Sequence, residues 1–199
     1  MWPEMFNWII HTVAVVCCGI AIKLSDDWLD REIDLELQAC NWSTILGNGT
    51  MLYAMLFLTL AASLHTQVCL ALFLMSYGIG MFHDFHNFFP LGLNGWQETL
   101  VASIMSILLF GWQISVFAAL FVLAVQLLDD FMDFSADGSR NGQRNLACRI
   151  GRYECFILAI ICIMLSWRLY AEIFPPVLFG SLLVWGLNDR LVMIARKYV

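Results

Sequence analysis

Residues 114–137 read ISVFAALFVLAVQLLDDFMDFSAD. An apolar run, Ile114–Leu128, leads straight into Asp129, Asp130, Asp133 and Asp137, the pattern D-D-x-x-D-x-x-x-D. The same pattern closes the first apolar run of the chain, with Asp26, Asp27, Asp30 and Asp34 placed 103 residues earlier. Of the ten aspartates in the chain, eight lie in these two stretches. On a helix, residues four apart stack one turn above another, so Asp26, Asp30 and Asp34 share a face, as do Asp129, Asp133 and Asp137. Carboxylates that crowd together beside an apolar run repel one another, and a cation relieves the repulsion. All-oxygen donor sets suit hard divalent ions, above all Mg2+, with Mn2+ as the substitute. The two clusters are therefore read as metal ligands that together hold ions around a diphosphate.

Composition sets the environment. The chain has 199 residues, 61% of them hydrophobic and 13% charged, with a mean hydropathy of +0.76. Soluble domains run nearer 45–50% apolar and about 25% charged, so the expectation is an all-α polytopic membrane protein. The net charge of −6 is concentrated in the two acidic stretches and marks a site more than a solvated face. Seven cysteines, Cys17, Cys18, Cys40, Cys69, Cys148, Cys155 and Cys162, form no CxxC and read as reduced, packed thiols. The N-terminus lacks the basic region of a signal peptide, so its apolar run is expected to be retained. No nucleic-acid signature is present.

Apolar runs predict about seven membrane helices: Phe6–Ile22, Leu46–Leu64, Val68–Phe82, Leu100–Trp112, Ile114–Leu128, Tyr153–Trp167 and Phe174–Leu187. His65-Thr66-Gln67 reads as a tight turn between the second and third, Gly111 and Gln113 flank another, and Pro175-Pro176 opens the last. The whole of 1–199 is expected to be one transmembrane domain in two pseudo-repeated halves, about 1–95 and 96–199. Placing the first acidic motif in the cytoplasm and alternating the helices leaves only Arg168 of the ten basic residues outside. The positive-inside rule then gives an N-out, C-in orientation with both motifs cytoplasmic. His83, Asp84 and His86 fall on the same side, and His83 and His86 share a face if helical. They could ligate a metal, act as a base or simply meet headgroups and water. His11 lies inside the first helix and reads as a packed residue. Phe131 and Phe134 pack within the second motif or flank a cation through their ring faces.

Residues 129–151, DDFMDFSADGSRNGQRNLACRIG, resemble the second aspartate-rich segment of the UbiA superfamily of intramembrane prenyltransferases. Asp130, Asp133, Asp137, Arg140, Gly142, Arg144, Leu146 and Gly151 follow that segment's order. DDWLDREID resembles the family's N-D-x-x-D-x-x-x-D, with Asp27, Asp30 and Asp34 matching and Asp26 standing where Asn is usual. The resemblance implies a UbiA-like helical bundle and Mg2+-dependent transfer of a prenyl group from a prenyl diphosphate to a lipid or aromatic acceptor. It makes Asp27, Asp30, Asp130 and Asp133 the central catalytic carboxylates. All eight aspartates, Asp26, Asp27, Asp30, Asp34, Asp129, Asp130, Asp133 and Asp137, become candidate metal ligands. Lys23, Arg140, Arg144 and Arg149 become the candidate diphosphate partners, and His83, Asp84 and His86 the acceptor side. Family members usually have about nine helices, and this chain has no counterpart of their opening and closing ones. A second copy or a partner subunit would then complete the bundle. The competing readings are a non-catalytic isoprenoid- or diphosphate-binding protein and a divalent-cation transporter. The D-G-x-x-A-R pattern of membrane CDP-alcohol phosphotransferases is absent, since Phe134 follows Asp133.

Overall fold

The structure, a computed structural model, describes residues 2–31, 41–80, 92–137 and 145–195. Its elements are helices, and no strand occurs among the described residues. In chain order they are α1 (Trp2–Leu29), α2 (Trp42–Leu46), a 3-10 turn (Gly47–Gly49), α3 (Thr50–Gly80) and α4 (Gly95–Phe110). They continue with α5 (Trp112–Asp137), α6 (Leu146–Ile150), α7 (Arg152–Leu169) and α8 (Phe174–Ala195). Among the described residues, three stretches are long and apolar enough to cross a membrane: Glu4–Leu29, Trp42–Gly80 and Trp112–Phe134. Gly95–Phe110 and Phe174–Asn188 are apolar but shorter. Many buried side chains are small, such as Ala14, Cys18, Ala54, Ala61, Cys155 and Ala159, while Leu52, Met55, Leu108 and Met164 are exposed. Small residues at contacts let helix backbones approach closely where lipid supplies no hydrophobic drive, and large apolar surfaces outside fit a lipid solvent. This is the surface of a membrane protein.

Breaks between helices are short. In place of a multi-residue turn at His65-Thr66-Gln67, α3 passes through one non-helical residue, His65, at φ −151° and ψ 83°. Tyr170, which ends α7, has nearly the same conformation, φ −147° and ψ 67°. Gly111 stops α4 at φ 85°, a region closed to most side chains, and α5 starts at the next residue. Pro175 and Pro176 sit in the first turn of α8, where a missing N–H costs nothing.

Contacts divide the chain into two compact units, Met1–Leu70 with Ile173–Val199, and Ala71–Glu172. In the first unit α1 lies against α8. A Cβ added at Gly19 would come 2.9 Å from Val184 Cγ2, and one at Gly180 would come 2.8 Å from Val15 Cγ1. Trp8 and Phe179 meet at the same interface, ring centroids 5.5 Å apart. Cys18 Sγ donates to the carbonyl of Cys69 at 3.2 Å. In the second unit α5 packs on α6 and α7 through Leu127, Ala147, Cys155 and Ala159. Cys155 Sγ donates to the Leu127 carbonyl at 3.3 Å. The Ser106 and Ser115 hydroxyls, 2.8 Å apart, join α4 to α5.

The repetition of the acidic pattern extends along most of the fold. The buried residues of α1, Ala14, Val15, Cys18, Ala21 and Leu24, match Phe117, Ala118, Phe121, Ala124 and Leu127 of α5 at the motif's own shift of 103. Each motif is followed by an asparagine-capped helix of five residues, Asn41 before α2 and Asn145 before α6. Each of those helices ends at a glycine with positive φ, Gly47 at 55° and Gly151 at 110°. Thr50, Ala54 and Ala61 then match Cys155, Ala159 and Ser166 in burial, and His65 matches Tyr170 as the break. Beyond the break, buried Val68, Cys69 and Leu72 match Ile173, Phe174 and Val177. The described residues thus repeat one pattern of burial, caps and breaks, and the first compact unit ends on α8, which follows the second copy of the motif.

Candidate functional site

The first motif begins on the last turn of α1, and Asp30 N–H donates to the Asp26 carbonyl at 3.0 Å, keeping the helical register between them. Asp26 is exposed and Asp30 half-buried, four residues apart on one helical face. Asp27, one residue on from Asp26, is only 3% exposed. It continues the buried stripe one turn past Leu24, because residues three apart share a face. Its Oδ1 lies 3.0 Å from Lys23 Nζ. Its Oδ2 accepts the backbone N–H of Trp42 at 2.9 Å. Lys23 also reaches Asp26 at 3.8 Å. The Trp42 indole N–H donates to Asn188 Oδ1 at 2.9 Å, tying α2 to α8. Arg31 stacks over the Trp28 ring, 5.0 Å from its centroid. It also donates to Asn48 Oδ1 at 3.2 Å. Asp34 lies outside the described residues.

The second motif is carried by α5, which stays helical through Asp137. Asp129 and Asp133 are exposed, four residues apart, and Asp130 is half-buried. Asp130 Oδ2 accepts the backbone N–H of Leu146 at 3.1 Å. The side-chain amide of Asn145 donates to the Asp130 carbonyl at 3.0 Å. Arg152, the first residue of α7, stacks over Phe131 at 4.8 Å and Phe134 at 5.7 Å. The cation held by those two aromatic faces is thus a guanidinium of the chain itself. Phe131 also packs on Phe156, centroids 5.0 Å apart.

Of the candidate diphosphate partners, Lys23 is engaged with Asp27 and Asp26, and Arg149 is exposed in the last turn of α6. Arg140, Arg144, His83, Asp84 and His86 lie outside the described residues. Gln97 is a helix cap: its Oε1 accepts the Asn94 N–H at 2.9 Å. Glu98 beside it is buried and accepts a hydrogen bond from the Tyr77 hydroxyl. His11 packs edge-on against His65 with ring centroids 4.5 Å apart. His65 Nδ1 in turn accepts the Val68 N–H at 3.4 Å.

Among the described residues no three side chains of His, Cys, Asp and Glu converge as a ready metal cage. Mg2+ asks for less, since one or two carboxylates with waters and phosphate oxygens complete its shell. The outward i,i+4 pairs Asp26/Asp30 and Asp129/Asp133 are hard-oxygen donors of that kind, so the residues present fit the ion.

Sequence reasoning missed Asn41, Asn145, Arg31 and Arg152. Asn41 was signalled by the capping box it forms with Thr44, where each side chain accepts the other's backbone N–H. Asn145 stands one helix length before Gly151, as Asn41 does before Gly47. Arg31 and Arg152 gave no sequence signal beyond orientation charge, because each depends on an aromatic ring that the fold brings to it. Comparison with known proteins gives no match: no family model, no curated protein and no solved structure is similar to the chain.

Proposed function

We propose that the protein transfers a prenyl group, in a Mg2+-dependent reaction, from a prenyl diphosphate to an acceptor within the membrane. One observation carries the reading: a carboxylate pattern repeated at the same place in two structural repeats, each copy showing an outward i,i+4 pair at the end of an apolar helix. Transport sites usually lie at mid-membrane on broken helices, so carboxylates at helix ends favour the diphosphate reading over a cation pathway. Seven crossings, N-out and C-in, with both motifs cytoplasmic, is the arrangement that goes with it.

In the reaction the C1–O bond of the prenyl diphosphate breaks, and its electron pair leaves with pyrophosphate. The acceptor forms the new bond to C1 and gives up a proton. A bound divalent ion supplies charge neutralisation and orientation for the departing diphosphate. Asp26 and Asp30 are the residues to hold such an ion in one unit and Asp129 and Asp133 in the other, with Asp34 and Asp137 completing each motif. Arg149, Arg140 and Arg144 supply phosphate contacts, and so do the stacked guanidiniums of Arg31 and Arg152. Stacking through the plane of a guanidinium leaves its N–H edge available for bidentate oxygen contacts.

The test is incubation of purified protein with labelled prenyl diphosphates of several lengths, a lipid extract and Mg2+. Pyrophosphate release with a prenylated product, abolished by EDTA, is the expected result. Mg2+-dependent binding without release would support the isoprenoid-binding reading, and neither binding nor release would defeat both.

A further inference from the structure

Asp27 and Asp130 occupy one position of the repeat, and each makes the same unusual contact. Each presents Oδ2 to the backbone N–H of the first residue of the short helix that follows its motif, Trp42 at 2.9 Å and Leu146 at 3.1 Å. The sequence separations are 15 and 16 residues. We propose that Asp27 and Asp130 are positioning residues that latch the short helix following each motif back onto its motif helix. The ion contacts then belong to the outward carboxylates Asp26, Asp30, Asp129 and Asp133. The division of labour rests on the diphosphate reading, whereas the latch itself does not.

The contacts support the division. Successive residues on a helix are turned by about 100°, so Asp27 and Asp130 are turned away from Asp26 and Asp129, and their own hydrogen bonds hold them there. Asp27 and Asp130 follow the buried stripes that end in Leu24 and Leu127. Both oxygens of Asp27 are engaged, one by Lys23 and one by Trp42. The first N–H groups of a helix have no partner inside it and need one from elsewhere. Asn41 and Asn145 satisfy the third residue of each short helix, with Oδ1 accepting from Thr44 N–H at 3.0 Å and Cys148 N–H at 3.3 Å. The aspartates satisfy the first. An Asp27 that turned to a cation would strand the Trp42 N–H. Two repeats that share few side chains in this region keep the same pair of contacts.

The amide of asparagine accepts an N–H bond as a carboxylate does, yet lacks the charge that a Mg2+ ligand contributes. That difference separates the two roles. Asp27→Asn, Asp27→Ala, Asp130→Asn, Asp130→Ala, Asp30→Asn and Asp133→Asn are made in the full chain in detergent micelles. Hydrogen exchange is read at the Trp42 and Leu146 amides, and binding of farnesyl diphosphate is read with Mn2+. The alanine variants should speed exchange at the matching amide by about tenfold or more, and the asparagine variants by under about threefold. Asp27→Asn and Asp130→Asn should keep Mn2+-dependent binding within about threefold, whereas Asp30→Asn and Asp133→Asn should weaken it by about thirtyfold or more. Unchanged exchange in the alanine variants overturns the latch. Binding lost as fully in Asp27→Asn or Asp130→Asn as in Asp30→Asn overturns the division of labour. A wild-type chain that binds no farnesyl diphosphate with Mn2+ defeats the functional reading, and the exchange measurement still decides the latch.

Discussion

Lys23 and Gln126 hold the same place in the two repeats, four residues before Asp27 and Asp130. The lysine pairs with its aspartate at 3.0 Å, and that aspartate is buried. Where glutamine stands instead, Asp130 is half-buried. A carboxylate leaves water at high cost unless an opposite charge goes with it, so the depth of each latch follows the residue one turn before it. The stacked guanidiniums differ in a related way. Arg31 comes from the motif itself and is tied to Asn48, whereas Arg152 comes from the next helix and lies across two phenylalanines. The two motif regions share backbone contacts and burial, while side-chain charge sits at neighbouring rather than matching positions.

The sharpest way to break this equivalence is in turnover. If both motifs serve one reaction, Asp30→Asn and Asp133→Asn should each lower pyrophosphate release by about 100-fold or more, and the double variant should be little worse than either. A loss confined to one motif would mean that the repeats have parted in function as well as in charge. Next in size is packing. Gly180→Ala places a Cβ 2.8 Å from Val15 Cγ1 and 3.2 Å from the Thr12 carbonyl oxygen. It should cost about 1–3 kcal/mol in detergent unfolding by overpacking. Gly78→Ala, whose nearest neighbour is Thr99 Cγ2 at 3.7 Å, should cost no more than a few tenths of that. The smallest effects concern the charges. Lys23→Gln should destabilise by about 1–2 kcal/mol, discounted for the exposure of the lysine head, because it leaves Asp27 buried beside a neutral group. Gln126→Ala should be nearly silent in the same unfolding assay. Gln126→Lys should add about 0.5 kcal/mol through an i,i+4 pair with Asp130.

Much of this was legible in the sequence, for stated physical reasons. Apolar runs located the helices, Gly111 and Pro175 marked real boundaries, and the two acidic patterns were visible as a pair. The register of the repeat outside the motifs was not. It lies in a stripe of Ala, Cys, Thr and Ser, and on a helix that is apolar all round such a stripe leaves no amphipathic signal. His65 and Tyr170 share a backbone conformation but no chemistry, so nothing in their letters pairs them. In the motifs, spacing put Asp26 and Asp30 on one face. It did not show that Asp27 points inward to a backbone N–H 15 residues away, because a non-local contact leaves no local pattern.

The pairing of α1 with α8 has a consequence for how the chain is made. The partner of α1 is α8, and the Gly180 and Val184 that fit against Val15 and Gly19 are synthesised 165 residues after them. At about 5–20 residues per second, a ribosome needs several seconds to tens of seconds to get from one to the other. Over that interval the nascent α1 sits in the bilayer with its close-contact groove covered only by lipid or by a temporary neighbour. The second unit, whose residues run continuously from Ala71 to Glu172, has no such wait and assembles as it is inserted. The order of assembly therefore runs from the middle of the chain outward, and a ribosome that stops before α8 leaves the unit that finishes second without its closing helix.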